Sequence, residues 1–229
     1  MGLWLMRSSE RKYLEQMRSK GEIFMHSLTW FTTCPDENRR DEHETVSKIE
    51  PIDTEKYPYL FFKPDGKEEF RLNLTKATIN THGYYGYIFC MHYLTDKTLD
   101  TPLNFDLKDR CVLMITNTDE FIKRLKSAAE EKQLKMWYGA VEYLDIKNLK
   151  DDKTPFKKDL KFAPDVEYRF YIQINDKEPE DELRLYIGDI SDISVIQDLE
   201  VEKPFFKLTM NPNSATNIDS SVSLQKPSH

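Results

Sequence analysis

Two ionisable residues of opposite sign, Glu167 and Arg169, stand two places apart in FAPDVEYRFYI, residues 162–172. The stretch alternates as a strand does, with Val166, Tyr168, Phe170 and Ile172 on one face and Glu167, Arg169 and Tyr171 on the other. A carboxylate on a strand is held by the packing behind it, so it meets a reacting group with little further ordering; Glu167 is the candidate catalytic residue. The plainer reading of Glu167 and Arg169 is an ion pair on a solvated sheet face, worth a few tenths of a kcal/mol. Just upstream, PFKKDLKF supplies Lys157, Lys158 and Lys161, a local basic patch beside the carboxylate.

A second concentration of charge lies far away in sequence. RRDEHE packs Arg39, Arg40, Asp41, His43 and Glu44 into six positions. It is either a solvated loop or a clamp in which Arg39 or Arg40 grips a phosphate or carboxylate while Asp41 or Glu44 orients it. The ligand-binding candidates are therefore Arg39, Arg40, Asp41, Glu44, Lys157, Lys158 and Arg169, with His26 on an early strand as a further one. His26, His43, Cys90 and His92 match no standard ligand spacing, so no metal site is expected. Gly-rich phosphate loops, Cys-x-x-Cys pairs, His-Glu-x-x-His and Gly-x-Ser-x-Gly are all missing from the sequence.

These residues need elements to carry them. SSERKYLEQMRSKG predicts a helix capped by Ser8 or Ser9 and stopped at Gly21, and EIFMHSLTWF a strand. TTCPDENRRDEHETVSKIEP then runs for about twenty residues as a loop, longer than most connections in compact domains. YPYLFF and EEFRLNL predict a hairpin turned by KPDGKE, GYIFCMHYL a central strand with Cys90 and His92 on one face, and RCVLMIT another buried strand. NTDEFIKRLKSAAEEKQ predicts a helix capped by Asn117. Strands follow in MWYGAVEYLDI, VEYRFYIQI, ELRLYIGDISDIS and PFFKLTM. Strands outnumber helices without alternating with them, which predicts an α+β fold: one domain over residues 1–210, a mostly antiparallel mixed sheet with a few short helices, and a polar, disordered tail over 211–229.

Composition narrows the function. With 33 basic and 40 acidic residues the net charge is −7, which repels a phosphate backbone and excludes general nucleic-acid coating. Three cysteines at unrelated spacings indicate a reducing compartment, the cytoplasm, rather than a disulfide framework. No apolar run reaches the roughly 20 residues of a membrane helix, and Met6 stands where an N-myristoylation signal wants Ser or Thr. The opening MGLWLM reads instead as a segment packed on the domain.

GEIFMHSLTWF, RRDEHE, YIFCMHYL, TDEFIKRL, VEYLD, PFKKDLKFAPDVEYR and LYIGDISDI, in that order over residues 11–195, resemble an uncharacterised family of bacterial proteins. Where its members carry Gly between the Arg and Asp, and Gln two before the Glu, this chain has Arg40 and Asp165. More loosely, Asp165-x-Glu167 is similar to the Glu/Gln-x-Glu strand of mono-ADP-ribosyltransferases. That resemblance implies NAD as the cofactor, with Glu167 stabilising an oxocarbenium-like cation and Arg39 holding the pyrophosphate; His26 would be the early-strand contribution. The expected function is binding of an anionic ligand, a nucleotide such as NAD, with or without turnover, as an ADP-ribosyltransferase-like enzyme, toxin or sensor. The alternative is a non-catalytic module in phage–host conflict that binds a protein partner through the charged loop and aromatics such as Tyr84, Tyr85 and Tyr87.

Overall fold

The structure is a computed structural model that describes residues 3–62, 70–75, 77–95, 111–146, 149, 152–175 and 180–198. The chain opens with β1 (Trp4–Ser9), α1 (Arg11–Lys20), β2 (Glu22–Ser27) and α2 (Leu28–Thr33). β3 (Val46–Pro51), β4 (Tyr59–Phe62), β5 (Phe70–Asn73) and β6 (Thr78–His82) follow, then β7 (Gly86–Leu94), β8 (Cys111–Ile115) and α3 (Thr118–Glu131). The remaining elements are β9 (Lys135–Ala140), β10 (Glu142–Leu144), β11 (Lys157–Asp159), a 3-10 turn at Leu160–Asp165, β12 (Glu167–Gln173), β13 (Glu182–Tyr186) and β14 (Ser194–Asp198). This is the expected α+β fold with mostly antiparallel sheets.

Eight strands form the main sheet, and β7 is its trunk. One edge of β7 pairs with β12 along Gly86–His92, and β9 lies beyond β12. The other edge forks: β2 and then β13 leave from Tyr87 and Ile88, while β1, β8 and β14 leave from His92–Leu94. Arg7 of β1 reaches across the crotch of the fork and donates from Nη1 to the Cys90 carbonyl at 2.6 Å, so this backbone acceptor is met by a side chain.

Helices α1 and α3 cover one face of the sheet. Leu14 and Met17 of α1, and Phe121, Leu125, Ala128 and Ala129 of α3, pack on Leu5, Met25, Phe89, Leu113, Tyr168, Phe170 and Ile172 in a single apolar core. Asn117 caps α3 by accepting from the Glu120 N–H at 3.1 Å, and Asp119 and Glu120 add negative charge at the positive end of the helix. Gly21 ends α1 as expected, at φ 61°, and an added Cβ there would sit 2.0 Å from the Gly188 carbonyl oxygen.

Four local expectations change. The opening segment is the strand β1, whose six residues pair with β7 and β8, and α1 starts after Glu10, without a serine side-chain cap. EIFMHSLTWF splits at Ser27, because the Ser27 hydroxyl accepts the Trp30 N–H at 3.0 Å and starts α2 there. The long loop ends in β3. MWYGAVEYLDI divides at Val141 into β9 and β10. The KPDGKE turn, the PFFKLTM strand and the tail lie outside the described residues.

The hairpin between YPYLFF and EEFRLNL is present as β4–β5, and with β3–β6 it makes a two-stranded arm between Val46 and His82. Neither ribbon joins the main sheet.

Candidate functional site

On the sheet face opposite the helices, β7 and β12 present Ile88, Cys90 and His92 against Tyr171, Arg169 and Glu167. Residues from loop 34–45 and from 152–166 lie over that face, and Asp41, Glu44, Lys153, Lys158, Glu167 and Arg169 are buried there. Arg169, on a strand packed from both sides, is about 1% exposed. Its Nη1 and Nη2 donate to the two oxygens of Glu44 at 2.9 and 2.6 Å, Nε donates to Glu167 at 2.7 Å, and Nη1 also donates to the Pro155 carbonyl at 2.6 Å. The fork-to-fork pairing with Glu44 is the strongest geometry a guanidinium has for a carboxylate. The other oxygen of Glu167 accepts from Lys158 Nζ at 2.6 Å, and Asp165 stands 3.7 Å from the same ammonium. The Glu167 N–H donates to the Tyr143 hydroxyl at 2.8 Å, which fixes the backbone at the start of β12.

Burial alone would raise both carboxyls, but the Arg169 guanidinium, helped by Lys158, reverses this and holds Glu167 and Glu44 below the ordinary carboxylate range. Burial would likewise lower Lys158 and Arg169, and their carboxylate partners raise both instead. Cys90, across from Arg169, is pushed up to about 12 by burial and by the charge of Glu167, so its thiol stays neutral.

Two buried atoms in this region lack a hydrogen-bond partner among the described residues. The fully buried Lys153 finds none for its Nζ, and Asp41, about 1% exposed, finds none for its Oδ2. Asp41 Oδ1 accepts from the His43 N–H at 3.0 Å. Burial, only partly offset by Glu44 and Asp41, lowers the Lys153 ammonium, while burial and then the Glu44 charge raise the Asp41 carboxyl.

The structure thus brings together five sequence candidates, Glu167, Arg169, Lys158, Asp41 and Glu44, from a strand, a loop and a segment far apart in the chain. The other four lie elsewhere. His26 stacks on Trp30 with ring centroids 3.8 Å apart, and Arg39 sits 5.2 Å over the opposite partner of that stack, Trp30, and 6.0 Å from Phe31. Arg40 pairs with Glu37 at the surface at 3.4 Å, and Lys157 Nζ donates to the Asp152 carbonyl. Among the described residues no hydrogen bond, ion pair or ring contact joins His26 or Arg39 to the Glu167 cluster. Sequence reasoning did not select Lys153, Tyr143 or the Pro155 carbonyl; Lys153 is one of several lysines in a polar stretch and carries no signal of burial.

Chemically, both oxygens of Glu167 are engaged by internal cations, and Arg169 spends its donors on Glu44, Glu167 and Pro155. Depressions of about 210 and 400 Å³ lie at α3 with β13 and at the ends of β9 and β12, and neither is lined by a residue of the cluster. Among the described residues no group of three His, Cys, Asp or Glu side chains is arranged to hold a metal, and no helix is long and apolar enough to cross a membrane.

No family model, no curated protein and no solved structure matches the chain.

Proposed function

We propose that the protein is a non-catalytic protein-binding module whose working surface is the two-stranded arm. One observation carries the reading. Among the described residues, six of the large apolar side chains left exposed belong to the arm: Tyr57, Tyr59, Leu60, Phe61, Leu72 and Ile79, each between 45% and 62% exposed. Leu60 faces Leu72 across the ribbon, while the Arg71 guanidinium lies 4.2 Å over the Tyr59 ring on the other face. Isolated two-stranded ribbons are marginal in water, and one with exposed apolar groups on both faces gains most when an apolar surface closes on it. Aromatic and aliphatic side chains grouped in this way are the usual anchors of protein interfaces. Tyr84, Tyr85 and Tyr87 are buried or half-buried and support the body instead.

The test compares proteins captured from the source cells by wild type and by L60E/F61E, followed by reconstitution of the purified pair. The reading expects one partner that binds wild type directly and loses at least about thirtyfold in affinity with the variant, the cost of one hot-spot contact of about 2 kcal/mol. Equal binding by the variant overturns it.

A second reading keeps an anionic ligand such as NAD at the Glu167 cluster, and the Lys153 ammonium, with no hydrogen-bond partner among the described residues, is the observation that favours it. It requires loop 34–45 to lift Glu44 and Asp41 away from Arg169 and Lys153. A thermal-shift series with NAD, ADP-ribose and phosphate separates the two: stabilisation of about 2.7 kcal/mol at a hundred times the dissociation constant supports the ligand, and its absence supports the arm.

A further inference from the structure

Strand β9 is an edge of the main sheet, and among the described residues its only strand partner is β12. Its hydrogen-bonding direction follows from the chain just after it. The Val141 N–H donates to the Glu167 carbonyl of β12 at 2.9 Å, whereas the Glu142 N–H donates outward, to the Phe156 carbonyl at 2.8 Å. Backbone groups of alternate residues point to opposite sides, so Met136, Tyr138 and Ala140 direct their N–H and C=O groups away from the sheet. Downstream this same outer edge is already occupied, since β11 pairs with β10 from Glu142 to Leu144. The open slot is therefore short and bounded: it begins at the turn after α3 and ends where β11 begins.

Natural edge strands are blunted by proline, bulges or inward charges. KMWYGA has no proline, pairs with β12 without a register shift, and carries one charge, Lys135, at its end. Trp137 and Tyr138 are 41% and 46% exposed on opposite faces. A row of backbone donors and acceptors that meet no partner among the described residues selects an extended strand as its occupant.

We infer that β9 pairs with β9 of a second copy of this chain, antiparallel about a two-fold axis through Tyr138. The sequence is self-complementary in this register. The three outward residues are centred on Tyr138, so Tyr138 meets Tyr138 of the second copy, and Met136 meets Ala140 in both directions. These three hydrogen-bonded pairs supply two bonds each. Between them Trp137 meets Gly139, a large ring over a position whose missing side chain leaves only ordinary contact distance to Phe156, 3.9 Å from an added Cβ. Large residues face small ones at every position except the axis, and the two eight-stranded sheets join into one. The contact is short and each copy carries a net charge of −7, so the association is weak, at the low end of specific interfaces.

Sedimentation of the full chain up to about 300 µM covers dimers with dissociation constants of order 100 µM. The inference expects a concentration-dependent dimer that Y138K abolishes while the monomer stays folded, its melting temperature lowered only by the lost ring contacts with Tyr168 and Phe170. Register is read by oxidation: Y138C places two Cα atoms about 5.5 Å apart across the axis, within disulfide range, and gives a covalent dimer absent from oxidised wild type. M136C, offset from its own copy by four residues or about 13 Å, gives none. A chain that stays monomeric overturns the inference and leaves the edge to an extended peptide of another protein. A dimer that survives Y138K, or that cross-links as readily through M136C, overturns it equally.

Discussion

Replacing Glu44 by Gln tests whether the charged loop is fastened to the sheet as described. Both Glu44 oxygens accept from Arg169, at 2.6 and 2.9 Å, with each partner about 1% exposed. Glutamine keeps the shape but removes the charge and turns one acceptor into a donor pointed at a guanidinium. Arg169 then keeps Glu167, the Pro155 carbonyl and at most one neutral amide oxygen from the glutamine, and loses the second charge that compensated it. Breaking a buried pair from one side costs about 3–5 kcal/mol, because the remaining charge stays out of water without compensation. Against a total stability of about 5–15 kcal/mol that is a large fraction. At about 2–4 °C per kcal/mol for a chain of this size, the melting temperature falls by about 6–20 °C. Urea denaturation is the assay, read as a lower midpoint at unchanged slope. The pH dependence supplies a second reading. Glu44 and Glu167 are held below their ordinary values, so their stabilisation is complete above about pH 4.3 and is lost as pH falls through the depressed folded values. E44Q therefore loses less stability on acidification than wild type. Removing both partners in E44Q/R169M recovers part of the loss. A loss below about 1 kcal/mol for E44Q, with an unaltered acid limb, would refute the buried clasp.

Further outcomes follow from the same geometry. K153M removes an ammonium that is fully buried with no hydrogen-bond partner among the described residues and is expected to leave stability unchanged or raise it by about 1–3 kcal/mol, measured in urea; a loss of more than about 2 kcal/mol would show that Lys153 has a stabilising role. Because burial lowers the Lys153 ammonium, the unfolded chain holds that proton more tightly, and the stability this group contributes rises as pH climbs toward about 10.4; the rise is smaller in K153M. G21A places a Cβ 2.0 Å from the Gly188 carbonyl oxygen at φ 61° and is expected to cost at least about 2 kcal/mol, whereas G188A, at φ 75° with open space around it, costs about 1 kcal/mol. L60E/F61E changes exposed side chains only and holds the unfolding free energy, measured in urea, within about 0.5 kcal/mol of wild type.

The periodic elements were legible because local pattern decides them. Asn117 with Glu120 and the Phe121–Leu125–Ala128 stripe specify α3, the unbroken GYIFCMHYL specifies a strand buried on both faces, and Gly21 marks a stop. β1 was not, since its six residues acquire strand character by pairing with β7 and β8, which lie far along the chain. Ser27 reads equally as a strand residue or a cap until Trp30 folds back on it. The alternation of Glu167 and Arg169 showed that they share a face, but not what covers it. That cover is Glu44, 125 positions from Arg169, and Lys158, and its arrival turned an expected ligand wall into a set of internal ion pairs. Arg39 and Arg40 sit beside Asp41 in sequence yet point elsewhere, because in an irregular loop neighbouring side chains have no fixed common face.

Hydrogen exchange of the free protein and of its complex with the captured partner tests the central claim most directly. The account predicts new protection in peptides covering Tyr57–Phe61 and Arg71–Leu74, with loop 38–45 and β12 unchanged. Protection of that loop and of β12, with the arm exchanging as before, would contradict it and return the functional surface to the Glu167 cluster.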